Sequence, residues 1–239
     1  MNWPRFGFWI ALPVAWLVWS GQSQLKAAQQ KPFRAVAELS VPYQLAEAHL
    51  LEAAGYLAPN QHARNTLANG EWRAVGAGDW TSGFYAGCQW LMFEETRDKA
   101  WKERASLQTA DLFGQQFNTG DHDIGFRILA SYGNAYRLTG DSDAKAVILN
   151  AAQSFATRFD PLVGCTRSWD FGWWQYPVII DNLMNLELLF WAAQNGGDPN
   201  WQTMAHSHAL RSLQEHVRPD GSTYHVVDFD PATGLAVWK

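Results

Sequence analysis

The sequence predicts an all-α fold built from pairs of neighbouring helices. Apolar residues recur at helical spacing in about seven segments of roughly 15–24 residues, and turn sequences separate these segments. No strand pattern precedes the glycine-rich segments, which argues against a nucleotide-binding α/β fold. The segments follow one another at intervals of about 25–30 residues, a spacing typical of stacked antiparallel helix pairs.

The ends of these helices are marked by capping residues. Thr81 or Ser82 can cap the second helix, and Gly140 is a typical residue for the C-terminus of the fourth. The predicted helices are 34–57, 81–96, 98–117, 123–140, 143–159, 177–195 and 198–217. The sixth is apolar on nearly all sides, which predicts that it is buried.

Two segments do not have the helical period. DPLVGCTRSWDFGWWQYP, between the fifth and sixth helices, reads as a long loop of the kind in which functional sites are often built. After the seventh helix, HVVDF and LAVW have strand patterns joined by the turn sequence DPATG, which predicts a β-hairpin.

The composition excludes several classes of protein. With 18 basic and 23 acidic residues the net charge is −5, and the basic residues are scattered, so nucleic acid is not an expected partner. The hydrophobic content of 47% can form a core, which excludes intrinsic disorder. The 14 Trp residues outnumber the 13 Phe and 7 Tyr, and flat indole faces suit sugar rings as ligands.

The N-terminus has the pattern of an export signal. Arg5 precedes an uncharged, mostly apolar run over residues 6–19, which is too short for a spanning helix. Residues 1–23 are therefore predicted to be a signal peptide, residues 24–33 a spacer, and residues 34–239 the folded part. The prediction implies a periplasmic or extracellular protein that has no membrane contact after signal removal; a buried first helix is the alternative.

The chain has two cysteines, Cys88 and Cys165, without the CxxC spacing of zinc or redox sites. Two buried thiols are expected, and a single disulfide between them stays open for an exported chain. No HExxH, EF-hand or GxSxG motif occurs. His206 and His208 lie two positions apart in a predicted helix, so they point in different directions and do not suit one metal ion.

Asp181 is the most informative residue for chemistry. It lies within VIIDNLMNLELLFW, where an unpaired charge would be costly, and Asn185 shares its helical face. A carboxyl group in apolar surroundings keeps its proton to higher pH, as a general acid requires. A structural aspartate that is satisfied by a basic partner is the alternative.

Asp123 and His225 are weaker candidates. Asp123 follows His122 at the start of the fourth helix, where helix capping is the simpler interpretation. His225, near a predicted strand, has an ordinary surface or core position as its alternative. Asp123 and Asp181 together would supply the two carboxylates of glycoside chemistry, if they converge.

Four motifs in the same order resemble the unsaturated glucuronyl hydrolases of glycoside hydrolase family 88. They extend over most of residues 35–239: WTSGF at Trp80–Phe84 with the following GCQW, HDIGF at His122–Phe126, IIDNLMNLELLFWA at Ile179–Ala192, and RPDGSTYHVVDFDPATG at Arg218–Gly234. The resemblance implies an α6/α6 barrel, also called a six-hairpin barrel, in which six inner and six outer helices form a ring.

The resemblance also implies roles for particular residues. Asp181 occupies the position of the general acid/base and Asp123 that of a second essential aspartate. Trp80 and His225 fall on positions that line the substrate pocket, and Asn182 and Trp174 are further candidates for substrate contact.

The chemistry implied by the resemblance is hydration of a double bond. Such enzymes remove the Δ4,5-unsaturated uronic acid from the non-reducing end of lyase-generated oligosaccharides, here expected to be of glycosaminoglycan type. The acid protonates C4, water attacks C5, and the resulting hemiketal collapses with loss of the glycosidic bond. Neither a metal nor an organic cofactor is implied.

The chain departs from the family pattern at its C-terminus. Relatives continue with a QG…D…WxRGQAW segment and further helices, whereas this sequence ends at Lys239. We therefore expect a truncated barrel of about seven helices that has little activity and poor stability when expressed alone. Two alternatives stay open: an unsaturated rhamnogalacturonyl hydrolase, and a non-catalytic carbohydrate-binding remnant.

Overall fold

The computed structural model describes residues 40–239, with side chains from residue 41 onward. The chain divides into two units, Met1–Gln44 and Leu45–Lys239. Of the first unit, only the start of one helix lies within the described residues. The predicted signal peptide (1–23) and spacer (24–33) lie outside the described residues.

Residues 40–239 are mostly helical, as the sequence predicts, and they contain small sheets. The helices are α1 (Ser40–Tyr56), α2 (Ser82–Thr96), α3 (Lys99–Asp111), α4 (Ile124–Ile128), α5 (Asn134–Thr139), α6 (Ser142–Ala156), α7 (Asn182–Gln194) and α8 (Asn200–Glu215). The strands are β1 (His62–Thr66), β2 (Trp72–Val75), β3 (Phe159–Asp160), β4 (Cys165–Thr166), β5 (Pro177–Ile179), β6 (Val226–Phe229) and β7 (Ala236–Trp238). None of these helices has both the length and the apolar composition needed to cross a membrane.

Several predicted helices are confirmed, with corrected ends. One turn of π-helix, Leu129–Gly133, joins α4 to α5, so the predicted fourth helix is one run that ends at Gly140. The predicted third helix stops at Asp111, where a 3-10 segment follows. The predicted fifth helix stops at Ala156 because Phe159 belongs to a strand that pairs with Thr166.

The prediction that residues 177–195 form one helix is wrong at its beginning. Residues Pro177–Ile179 form β5, which pairs antiparallel with β6, and α7 starts only at Asn182. Asp181 therefore occupies the N-cap position of α7 rather than its interior. The prediction of full burial is also wrong, since Met184 is 64% exposed on one face of α7.

The C-terminal hairpin is confirmed, and it belongs to a larger unit. β6 pairs with β7 and with β5, giving a three-stranded antiparallel sheet in the order β5-β6-β7. Its buried side has a small apolar core of Val163, Cys165, Tyr176, Val178, Val227 and Phe229. Buried Asp228 fixes the long loop to this sheet, because its carboxylate accepts hydrogen bonds from the backbone N–H groups of Gln175 and Tyr176.

The β1–β2 hairpin was not predicted. Its strands pair antiparallel between His62 and Val75, and the turn contains Asn69-Gly70. An Asn-Gly pair between short strands is a strong hairpin signal, so this element was readable from the sequence.

The main core lies between the helices. α2 packs against α3 and α7 against α8, and α6 contributes the central buried residues Ile148, Ala151 and Phe155. The two cysteines are free thiols, which contradicts a disulfide; Cys165 is buried as expected, but Cys88 is exposed.

Two glycines allow α2 to approach the fourth helical run closely. A Cβ atom on Gly83 would lie 2.3 Å from the carbonyl oxygen of Phe126, and one on Gly87 would lie 2.7 Å from that of Ala130. Only glycine leaves room for this contact. The contact fixes the start of α2 beside the start of α4.

Replacement of Gly83 by Ala should destabilise the fold, because the added methyl group meets backbone atoms that cannot rotate away. We expect a loss of about 1–3 kcal/mol in the free energy of unfolding, measured by chemical denaturation. Gly55→Ala in α1 is the matched control: nothing lies within 4 Å of the added Cβ, so stability should stay equal or rise slightly. Equal stabilities of the two variants would contradict this account of the α2 contact.

Candidate active site

A cleft of about 630 Å³ lies where α2, α4 and α7 begin. The loop before α2, the segment before α4, the long loop after β4, and the starts of α7 and β6 each contribute to its wall. The lining residues are Gly78, Asp79, Trp80, Asp121, His122, Asp123, Arg127, Ser168, Trp169, Phe171, Ile179, Asp181 and His225. A groove of similar size beside α4, α5 and α7 is mainly apolar and has no paired carboxylates, so the chemistry favours the first cleft.

Asp123 and Asp181 occupy equivalent positions in this cleft. Each is the N-cap residue of a helix, α4 and α7 respectively, yet neither side chain makes a capping hydrogen bond. The sequence-based expectation that the Asp123 side chain caps α4 is therefore wrong, because this side chain makes no capping hydrogen bond. Both carboxyl groups are left free to face the cleft.

The surroundings of Asp123 favour its protonated form. Burial raises the pKa of Asp123 to about 7, and the negative charge of Asp121 adds to the effect. Arg127 opposes the shift, whereas Asp181 and Asp79 contribute to it. Asp123 is therefore a carboxyl group that can hold or release a proton near neutral pH.

Asp181 is also shifted toward the protonated form. Its half-buried position raises the pKa, against smaller lowering effects of its own backbone N–H and of His225. The Oδ1 atom of Asp181 is buried and has no hydrogen-bond partner among the described residues. An unpaired buried carboxylate oxygen is unfavourable, so the proton is held more tightly.

His122 completes a compact group with the two aspartates. It is buried, and this burial lowers its pKa to about 4, so the imidazole is neutral at physiological pH. Its Nε2 atom lies 3.4 Å from Oδ1 of Asp123. One donor or acceptor atom from each of His122, Asp123 and Asp181 lies within 4.8 Å of the others. Among the described residues, these three come nearest to a set of ligands for a cation. The same spacing also suits acid–base groups that are joined by hydrogen bonds.

Arg127 holds two walls of the cleft together. Its guanidinium donates to both carboxylate oxygens of Asp121, at 2.9 and 3.0 Å, and to the carbonyl oxygens of Gly78 and Asp79. Burial alone would raise the pKa of Asp121, but these hydrogen bonds and the positive charge hold it below its usual value. Arg127 was missed in the sequence; its position four residues after Asp123 on a helix was the available signal.

Trp80 and His225 both lie in the cleft wall. Trp80 is 42% exposed, packs against Phe84 and Phe126, and has the Arg64 guanidinium 5.7 Å from its ring centre. His225 is exposed at the start of β6. The aromatic face of Trp80 is thus available to a ligand.

The two other residues proposed from the sequence do not line the cleft. Asn182 is fully buried, and its amide is paired with the hydroxyl and carbonyl groups of Thr166. Trp174 packs against Trp173 and Trp238. The long loop contributes Trp169 and Phe171 to the cleft instead.

The chain is similar in sequence to known enzymes. It is 40% identical over 164 residues to the unsaturated glucuronyl hydrolase of Formosa agariphila, a match of 67% of this chain and 41% of that enzyme. It is 35% identical over 161 residues to the unsaturated chondroitin disaccharide hydrolase of Streptococcus pneumoniae, with shares of 65% and 41%. The chain thus spans about two fifths of the length of the curated relatives it matches. No family model matches it.

Comparison with solved structures finds enzymes of the same name. The structure is similar to the crystal structure of an unsaturated glucuronyl hydrolase specific for heparin, with a TM-score of 0.78 and 40% identity over 82% of this chain and 53% of that chain. By sequence and by fold, the chain is similar to the unsaturated glucuronyl hydrolases.

Proposed function

We propose that the protein is a glycoside hydrolase that removes a Δ4,5-unsaturated uronic acid from the non-reducing end of lyase-generated oligosaccharides. The observation that carries the proposal is the pairing of Asp123 and Asp181 in one cleft. Neither carboxyl group is used for helix capping, and both have a raised pKa. Asp123, which holds its proton to about pH 7, beside a second carboxyl group whose pKa is also raised, suits acid catalysis.

Asp181 acts in this proposal as the general acid and then as the base. Its proton goes to C4 of the unsaturated sugar while positive charge develops at C5. A water molecule attacks C5, and its released proton returns to Asp181. The hemiketal at C5 opens its ring, and the hemiacetal left at C1 then loses the aglycone as an alcohol. The net change is the addition of one water molecule.

Asp123 assists in two ways. It shares a proton with the reacting groups, and its neutral form keeps the negative charge of the cleft low. The uronate substrate is an anion, and Asp79, Asp121, Asp123 and Asp181 all line the cleft. A carboxyl group that stays neutral near pH 7 repels the substrate less than a second carboxylate would. The aromatic faces of Trp80 and Trp169 provide apolar surface for the sugar ring.

The substrate class in the proposal is a glycosaminoglycan fragment. The names of the relatives support it, since one is a chondroitin disaccharide hydrolase and another is specific for heparin. The proposal extends to the architecture: we assign residues 34–239 to part of an α6/α6 barrel. The packing of α2 against α3 and of α7 against α8 supports helix hairpins as its units. Export through residues 1–23 remains a prediction.

The test is an assay of the full-length gene product on unsaturated disaccharides from chondroitin, heparin and hyaluronan and on unsaturated pectin fragments. Hydration removes the C4=C5 bond, so its ultraviolet absorbance should fall for the glycosaminoglycan substrates. In D2O the product should carry one deuterium at C4, whereas direct hydrolysis at C1 would leave the double bond intact.

Two results would contradict the proposal. Turnover of pectin fragments alone would indicate an unsaturated rhamnogalacturonyl hydrolase. Saturable binding of the disaccharides without turnover would indicate a carbohydrate-binding protein.

A further inference from the structure

Asn185 connects the two helices that carry the aspartates. It lies on α7, one turn after Asp181, and is fully buried. Its side-chain Oδ1 accepts a hydrogen bond of 2.8 Å from the backbone N–H of Phe126, which is 59 residues away in the sequence. The bond joins the first turn of α7 to the first turn of α4.

The N–H group that Asn185 binds has a particular position in α4. Counted from the N-cap residue Asp123, Phe126 is the third residue of the helix, and its N–H is one that an N-cap side chain normally binds. Asp is among the best N-cap residues, yet Asp123 makes no such bond. The Asp123 backbone (φ −76°, ψ 8°) is not in the extended conformation of the capping aspartates Asp98 and Asp141 (ψ 123° and 116°), so its carboxylate does not reach this donor, and Asn185 satisfies the donor instead.

Gly125 provides the space for this arrangement. A Cβ atom on Gly125 would lie 2.6 Å from Oδ1 of Asn185 and 2.9 Å from its Cα atom. Any larger residue would push α7 away and lengthen the Asn185–Phe126 hydrogen bond. The close approach and the hydrogen bond are two separate features that keep the starts of α4 and α7 together.

We propose that Asn185 is a positioning residue that keeps the Asp123 carboxyl group in the cleft, opposite Asp181, by capping α4 in its place. For catalysis the inference rests on the proposed hydrolase function. Asn185 has no role in proton transfer here, because it is buried behind the helix starts and does not line the cleft.

Removal of the Asn185 side chain leaves the Phe126 N–H without its partner, which favours rotation of the Asp123 backbone to the extended conformation from which its carboxylate can cap α4. A hydrogen bond from the Phe126 N–H would stabilise the charged carboxylate, so the pKa of Asp123 should fall. The charged or titratable groups that face Asp123 are His122, Asp121, Arg127, Asp181 and Asp79. All of them are retained when Asn185 is replaced.

The experiment compares Asn185→Ala with the control Asn150→Ala in the full-length gene product. Asn150 also makes a neutral side-chain hydrogen bond, to Gln116, but outside the cleft. In Asn185→Ala, carboxyl NMR should show the pKa of Asp123 lowered by about one unit or more. We expect kcat to fall by about 10- to 100-fold with KM changed less than about threefold, because a reacting group has moved. The control should show neither effect.

Asn185→Asp separates positioning from general loss of structure. It retains an acceptor for the Phe126 N–H, so Asp123 stays in the cleft, and its added negative charge raises the pKa of Asp123. The two variants should therefore shift this pKa in opposite directions, whereas a loosened fold would shift it in one. Asn185→Ser, whose side chain is too short to bridge the helices, replaces the alanine variant if that variant does not fold.

The outcomes separate the two proposals. An unchanged pKa of Asp123 in Asn185→Ala, or an equal fall in Asn150→Ala, would overturn the positioning role. If the wild-type protein turns over no unsaturated oligosaccharide but the opposite pKa shifts are seen, Asn185 does position Asp123, and the hydrolase function is the part that fails.

Discussion

Replacement of Asp181 by Asn in the full-length gene product is expected to lower kcat by about three orders of magnitude or more. The amide is nearly isosteric with the carboxyl group but cannot deliver a proton to C4. The fold should be retained, because the Asp181 side chain makes no capping bond and has a buried oxygen without a partner. Steady-state turnover of an unsaturated disaccharide measures the effect, and circular dichroism checks the fold.

Asp141→Asn is the matched control for this variant. Asp141 is also an N-cap aspartate, of α6, but its side chain does cap, accepting from the backbone N–H of Asp143 at 2.9 Å. Asn caps nearly as well as Asp, so activity and stability should both be close to wild type. If Asp181→Asn retains more than about a tenth of the wild-type activity, another residue must be the acid.

Replacement of Asp123 by Asn is expected to lower kcat by about 100-fold or more, since the amide cannot exchange a proton within the cleft. Under the proposed function, the wild-type full-length gene product should lose kcat/KM as the pH rises through about 7, where Asp123 ionises and the uronate meets an additional negative charge. Asp123→Asn should lack this decline. A pH–rate series on both proteins is the measurement.

Asp123→Asn should also change the stability of the fold, in a direction that the raised pKa of Asp123 defines. The pKa of Asp123 is raised in the folded state to about 7 from an ordinary value of 3.8. The folded state therefore binds the proton more tightly, and the contribution of Asp123 to stability decreases as the pH rises from about 4 to about 7. Asp123→Asn removes this loss, so it should raise the melting temperature relative to wild type more at pH 8 than at pH 4. An equal change at both pH values would show that Asp123 is not perturbed.

Local signals predicted those parts of the fold that depend on neighbouring residues. The end of the fourth helical run at Gly140 and the β6–β7 hairpin follow from a C-terminal glycine and from turn residues. The start of α2 is where the sequence predicts it, but the Thr81 side chain makes no capping hydrogen bond and binds Asp79 instead. The start of α7 was misplaced because the apolar run PVII fits a buried helix or a buried strand equally well. Pairing with β6, about 50 residues later, decides for the strand, and no local pattern contains that information.

In the candidate site, too, local patterns predicted individual residues but not the contacts between residues that are distant in the sequence. The structure brings Trp80, Asp123, Asp181 and His225 into one cleft, and their roles remain predictions. The contacts by which Arg127 and Asn185 organise the cleft were not readable from the sequence. Arg127 lies four residues after Asp123 and Asn185 shares a helical face with Asp181, but the Gly78 carbonyl that Arg127 binds and the Phe126 N–H that Asn185 binds lie 49 and 59 residues away.

The long loop between α6 and α7 supplies aromatic side chains to the cleft, whereas the helix starts supply the aspartates. The aspartates lie at helix starts that are fixed by buried contacts, whereas Trp169 and Phe171 extend from a loop fastened at one end by Asp228. Trp169 forms a β-bridge with Asp121 beside the start of α4, whereas Phe171 is 70% exposed, so substitution of Phe171 changes the cleft surface with the smaller effect on the helix starts. Under the proposed function, Phe171 is therefore a position at which the surface that meets the substrate can change while Asp123 and Asp181 stay in place.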